Sequence, residues 1–78
     1  MTNIERILKE RRMELGYSKK TLGAMTSISQ VSLTKYEKGI SIPSSVSLFR
    51  ICQALELDCD QTYEMAEQDK KNLKKGGN

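Results

Sequence analysis

Apolar residues return along this chain at spacings of three and four, and no run alternates apolar with polar for long enough to make a strand. Ile4, Ile7, Leu8 and Leu15 share one stripe of a first helix, for which Thr2 or Asn3 offers a cap. Gly16 supplies the left-handed residue that ends it. Ser18 caps a short second helix that turns Leu22 and Met25 inward and stops near Thr26 and Ser27. Ser29 caps a third, with Leu33 and Tyr36 toward the core, and Gly39 closes it. Pro43 keeps the residues before it out of the α region. Ser44 or Ser45 then caps a fourth helix whose stripe is Leu48, Ile51, Cys52 and Leu55, widened by Val46 and Phe49. Asp58 caps a fifth element that begins near Cys59 and carries Thr62, Tyr63 and Ala66. Beyond Glu67 the chain is polar and Lys-rich and is expected to fray. The pattern predicts an all-α domain of five helices over residues 1–67, followed by a polar tail at 68–78.

Composition narrows the function classes. At 78 residues the chain holds one domain, and a domain this small hides only about 60% of its unfolded surface. Cys52 and Cys59 are its two cysteines, with no His beside them, so neither a disulfide scaffold nor a zinc site is expected. Both are read as small core residues. The first residues lack the apolar run of a signal peptide, and no segment approaches the ~20 apolar residues of a membrane span. A cytoplasmic protein is expected. No acidic pair at useful spacing, Gly-rich phosphate loop or histidine is present to support catalysis. Neither enzyme chemistry, nor a cofactor, nor a metal is expected.

Charge adds direction. The formal net charge is +3. Residues 17–39 set Lys19, Lys20, Lys35 and Lys38 against Glu37, whereas residues 40–60 set Arg50 against Glu56, Asp58 and Asp60. One region is basic and the next acidic, as expected of a protein with one face toward phosphates. The basic region contains the two short helices, at 18–25 and 29–38, joined by a tight turn at 26–28. That is a helix-turn-helix within residues 18–38. Leu22, Ile28 and Leu33 would fix the angle between the two helices. Gln30, Val31, Ser32, Thr34 and Lys35 would face outward, a set of short, amide and cationic side chains able to read base edges in a major groove.

Three strings carry a family resemblance. They are Tyr17-Ser18-Lys19-Lys20-Thr21-Leu22-Gly23, then Ile28-Ser29-Gln30-Val31-Ser32-Leu33-Thr34-Lys35-Tyr36-Glu37-Lys38-Gly39, then Pro43-Ser44. Together they resemble the helix-turn-helix family of phage Cro and repressor proteins and their bacterial relatives, the Xre type, over roughly residues 4–66. The resemblance implies a compact lambda-repressor-like fold. It points Gln30, Val31, Ser32 and Lys35 at bases. It sets Lys19, Ser29, Thr34, Lys38, Gly39 and Ser41 against the sugar-phosphate backbone, and it pairs Arg12 with Glu37 between the first and third helices. The chain departs from the family at Lys19, where Gln is usual, at Gly23, where Ala is usual, and at Ser27, where Gly is usual. Glycine at 23 is expected to weaken the second helix by up to ~1 kcal/mol.

The function expected on these grounds is transcriptional regulation by repression, through a homodimer on a palindromic site in double-stranded DNA. The dimer interface is expected on the fifth helix with the exposed edge of the fourth, where Tyr63, Met65 and Ala66 are available. The alternative is an antitoxin or accessory protein whose main partner is another protein, with DNA binding used for autoregulation. A scaffold without DNA binding would have no use for Gln30 and Lys35 exposed together. The operator and the regulated genes are not encoded in the pattern.

Overall fold

Three serines start three of the helices by one device. Ser18, Ser29 and Ser44 have extended backbone, and each hydroxyl accepts the amide hydrogen of the residue three ahead. Each also donates to the hydroxyl at that position, Thr21, Ser32 or Ser47. The computed structural model describes residues 3–76, with side chains through residue 72. Its helices are α1 (Asn3–Glu14), α2 (Lys19–Thr26), α3 (Gln30–Glu37), α4 (Ser45–Leu55) and α5 (Cys59–Gly76). Asp58 caps α5, accepting the Gln61 amide at 3.0 Å. Four residues with positive φ end the preceding helices: Gly16 and Gly39, together with Ser27 and Glu56. The result is an all-α domain, without strands among the described residues, of 37 × 24 × 21 Å.

The core is one cluster. Ile4 and Leu8 of α1, Leu22 of α2 and Leu33 of α3 meet Leu48, Ile51, Cys52 and Leu55 of α4 and Ala66 of α5. In this arrangement α1 packs on α3, α4 and α5, and α2 packs on α3 and α4. Arg11 of α1 reaches the end of α4, where its Nε donates to the Leu55 carbonyl at 2.9 Å. A cation there also complements the negative end of the helix. None of the described helices is long and apolar enough to cross a membrane.

Four expectations need correction. Met25, Val46 and Phe49 do not face the core; they are 49%, 62% and 46% exposed. At ~100° per residue, Val46 falls on the side of α4 away from Leu48, Ile51 and Cys52, and Phe49 falls on the flank of that line. On α2 the inward place after Leu22 goes to Thr26, whose hydroxyl donates to the Leu22 carbonyl at 2.8 Å and so is satisfied while buried. Ala66, expected on a dimer surface, is a core residue.

The fourth correction concerns the tail. Helix α5 continues past Glu67 to Gly76; Gly77 and Asn78 lie outside the described residues. Asp69 explains the continuation. It is 1% exposed, and its carboxylate accepts the amides of Asn3 at 3.0 Å and Ile4 at 2.9 Å. The cap of α1 is thus a side chain 65 residues away from Ile4. Of the two residues expected in that role, Asn3 is the first residue of α1 and Thr2 lies outside the described residues.

Candidate nucleic-acid interface

The angle between α2 and α3 is set by a close approach of backbone to backbone. Ser27 adopts φ 59°, which turns the chain sharply and lets the Ile28 amide donate to the Gly23 carbonyl at 3.2 Å. A Cβ on Gly23 would sit 2.8 Å from the Ile28 carbonyl oxygen. The missing side chain at 23 is therefore what lets the turn close. Two departures from the family pattern are linked here, a glycine on the helix and a serine in the turn. The Gln30 methylenes also pass this spot, 3.9 Å from where that Cβ would be. Leu22 and Leu33 are buried beneath, and half-buried Ile28 packs against them.

From below, α3 is held by charge. The Arg12 guanidinium meets the Glu37 carboxylate through two bonds, Nε to Oε2 at 2.7 Å and Nη2 to Oε1 at 3.0 Å. Its Nη1 donates to the Tyr17 carbonyl at 2.8 Å. The side chains are only 12% and 5% exposed. Bonding to Glu37 outweighs burial and raises the Arg12 pKa further, so the guanidinium keeps its charge. In this way α1 fixes the height and rotation of α3.

Above that base, the residues singled out in the sequence fall into groups. Gln30, Val31 and Lys35 are exposed on α3, with Ser29 exposed at its cap and Lys38 exposed just past its end. Thr34 and Lys19 are half-buried. Ser32 is half-buried too, and its hydroxyl accepts from Ser29, so it serves the cap first. The segment after α3 folds back on the helix. Gly39 donates its amide to Tyr36, while Ile40 and Ser41 both donate to the Lys35 carbonyl. Those three amides are spent internally, which leaves the Ser41 hydroxyl and the Lys38 ammonium as that segment's donors toward a ligand. Gly39 has φ 74°, a conformation that suits glycine, and a Cβ there would also have to displace the end of the Glu5 side chain. Tyr63 and Met65 leave α5 on different sides. Tyr63 donates its hydroxyl to the Ser45 carbonyl of α4 at 2.9 Å, and Met65 lies beside Asn3 of α1.

Two signals were present in the sequence and not read. The Ser-x-x-Ser or Ser-x-x-Thr spacing repeats at each of the three serine caps. The acid Asp69 stands in a lysine-rich stretch that offered no local reason for it.

Comparison with known proteins agrees with this geometry. The helix-turn-helix family model matches residues 8–61. Over 62 residues the chain is 27% identical to an uncharacterized HTH-type transcriptional regulator, YgzD, of Bacillus subtilis strain 168, covering 80% of this chain and 94% of that protein. With the match spanning most of the chain, the turn closed between Gly23 and Ile28, and α3 seated on the Arg12–Glu37 pair, the protein belongs to the helix-turn-helix family of Cro/repressor, or Xre, type.

Proposed function

We propose that this chain is a sequence-specific DNA-binding regulator of transcription that acts as a repressor, binding a palindromic operator as a homodimer. One observation carries the reading. The acid within residues 17–39, Glu37, is buried against Arg12, so Lys19, Lys20, Lys35 and Lys38 face solvent or half-face it with no acid of that segment among them. A phosphate backbone meets such a surface favourably, and the amide of Gln30 in its midst supplies both a donor and an acceptor for a base edge. Exposed Val31 is suited to a thymine methyl group. Family membership and the regulator name of the Bacillus relative support the same reading. A single domain of this size covers on the order of 600–1,000 Å² on DNA, and two-fold pairing is the usual way to double it.

The test begins by selecting duplexes from a random pool. Gln30→Ala should lose ~1–3 kcal/mol on the selected duplex and relax preference at one position of each half-site. Lys19→Ala should weaken selected and random duplexes alike. Affinity for both should fall steeply with salt, by about 0.9 log units per log unit for each phosphate neutralised. Binding that is insensitive to salt, or parallel losses for both variants on both duplexes, would refute the assignment.

A further inference from the structure

The fold brings the two cysteines of the chain to one place, and the recognition face makes no use of them. Cys52 lies in the last turn of α4 and is 0% exposed. After Leu55 the chain reverses. Glu56 takes φ 55°, and the Leu57 amide donates back to the Cys52 carbonyl at 2.9 Å. Two residues later Cys59 opens α5, half-buried, and packs against the cluster that holds Cys52. The two thiols are hydrogen-bonded neighbours, and the buried Thr62, one turn further along α5, reaches the Cys52 sulfur as well. Packing would be served by two buried side chains. Here one sulfur keeps a path to solvent and the other sits behind it.

We propose that Cys59 and Cys52 form a site of reversible oxidation, at which hydroperoxides convert the two thiols into an intramolecular disulfide. The proposal stands apart from the DNA reading. Cys59, the sulfur in reach of solvent, reacts first. Its thiolate attacks hydrogen peroxide: an S–O bond forms, the O–O bond breaks, and the departing hydroxide takes up the proton that Cys59 released, leaving as water. The Cys52 sulfur then attacks the sulfenic acid on Cys59. An S–S bond forms, the S–O bond breaks, and the hydroxide that leaves takes the Cys52 proton as a second water. Together the two thiols lose two electrons, and one peroxide gains them. A dithiol reverses the step by exchange. Burial decides the order, because it disfavours the charged form of Cys52 and so suits that sulfur to the second attack, in which its proton departs as the new bond forms. The bridge would fasten the start of α5, the helix whose Asp69 caps α1, to the end of α4.

The experiment exposes the reduced whole chain to a slight excess of hydrogen peroxide, then alkylates the remaining thiols in denaturant and measures the mass. The wild type should lose the mass of two hydrogen atoms, take up no alkylating agent, and return to the starting mass with a dithiol. Cleavage after Glu56, which lies between the cysteines, should leave the flanking peptides joined until the bridge is reduced. Cys52→Ala should stop at the sulfenic acid, captured by dimedone on Cys59. Cys59→Ser, altered at a half-buried position, should keep the wild-type helical circular dichroism, and its one buried thiol should still be alkylated after the same exposure. Equilibrium against a dithiol should favour the bridge roughly tenfold more in the folded chain than in denaturant. A wild type that keeps both thiols, joins chain to chain instead, or passes to the sulfinic acid on Cys59 without bridging overturns the proposal. So does a bridge no more favoured in the folded chain than in denaturant, for then closeness along the sequence, and not the fold, brings the sulfurs together.

Discussion

Alanine is a better helix former than glycine by up to ~1 kcal/mol, yet at position 23 the extra carbon would lie 2.8 Å from the Ile28 carbonyl oxygen. Overpacking against backbone costs ~1–3 kcal/mol, so Gly23→Ala should lower the thermal midpoint although it improves local propensity. Ser27→Gly should raise it. The left-handed region costs an ordinary residue ~1–2 kcal/mol, more than the ~0.5–1 kcal/mol of chain entropy that glycine adds. A net change of ~1 kcal/mol moves the midpoint of a domain this size by about 4–8 °C, and calorimetry that ranks the two variants in the opposite order would refute the close approach. Cys52 supports a different test. Burial, the largest influence on it, pushes its thiol up to about 11. Below the ordinary thiol range both folded and unfolded chains keep that proton, and the group adds no pH dependence. As pH climbs toward 11 the unfolded thiol ionises first, so the unfolded state is favoured and stability falls. Denaturant midpoints measured at pH 8 and 10.5 should show the fall, and Cys52→Ala, less stable overall, should show a smaller one.

Element boundaries were legible because the signals that set them are local. Gly16, Ser18, Ser29, Gly39, Ser44 and Asp58 each act within four residues of their own position, and the five helices begin or end where these residues say. Facing was less legible. Hydrophobicity placed Met25, Val46 and Phe49 inside, whereas the helical angle and the competing claim of Thr26 put them outside. Least legible was the second half of α5, whose composition is that of a solvated tail and whose order depends on one carboxylate meeting two amides at the far end of the sequence. Charge-assisted bonds of this kind are worth ~1.5–3 kcal/mol. Asp69→Ala should therefore lower stability by about 2 kcal/mol, and deleting residues 68–78 should lower it at least as much. A simple tail would be removed without cost, so unchanged denaturant midpoints would show that Asp69 does not hold α1.

Across the whole molecule, the sequence divided the chain into a basic and an acidic region, and family resemblance implied the Arg12–Glu37 pair. What neither conveyed is how completely that pair is buried, which takes the one acid of residues 17–39 off the recognition face and leaves its lysines unopposed within that segment. Nor could they convey that the Gly39, Ile40 and Ser41 amides are occupied, because those bonds depend on how the chain folds back over the last turn of α3. The long reach of Asp69 has a consequence for how the protein is made. Translation delivers α1 before α5, and the residue that seals the opening turn of α1 is joined 65 residues after Ile4. Helices α1 to α4 can collapse on one another earlier, but α1 keeps two open amides until then. A nascent chain interrupted between α4 and Asp69 would carry a nearly complete recognition unit on a frayed support. Such a fragment would open more often than the finished protein and be cleared by proteases that sample open states. Incomplete copies, able to occupy DNA but lacking all or part of α5, would be removed before they could compete with whole ones for binding sites.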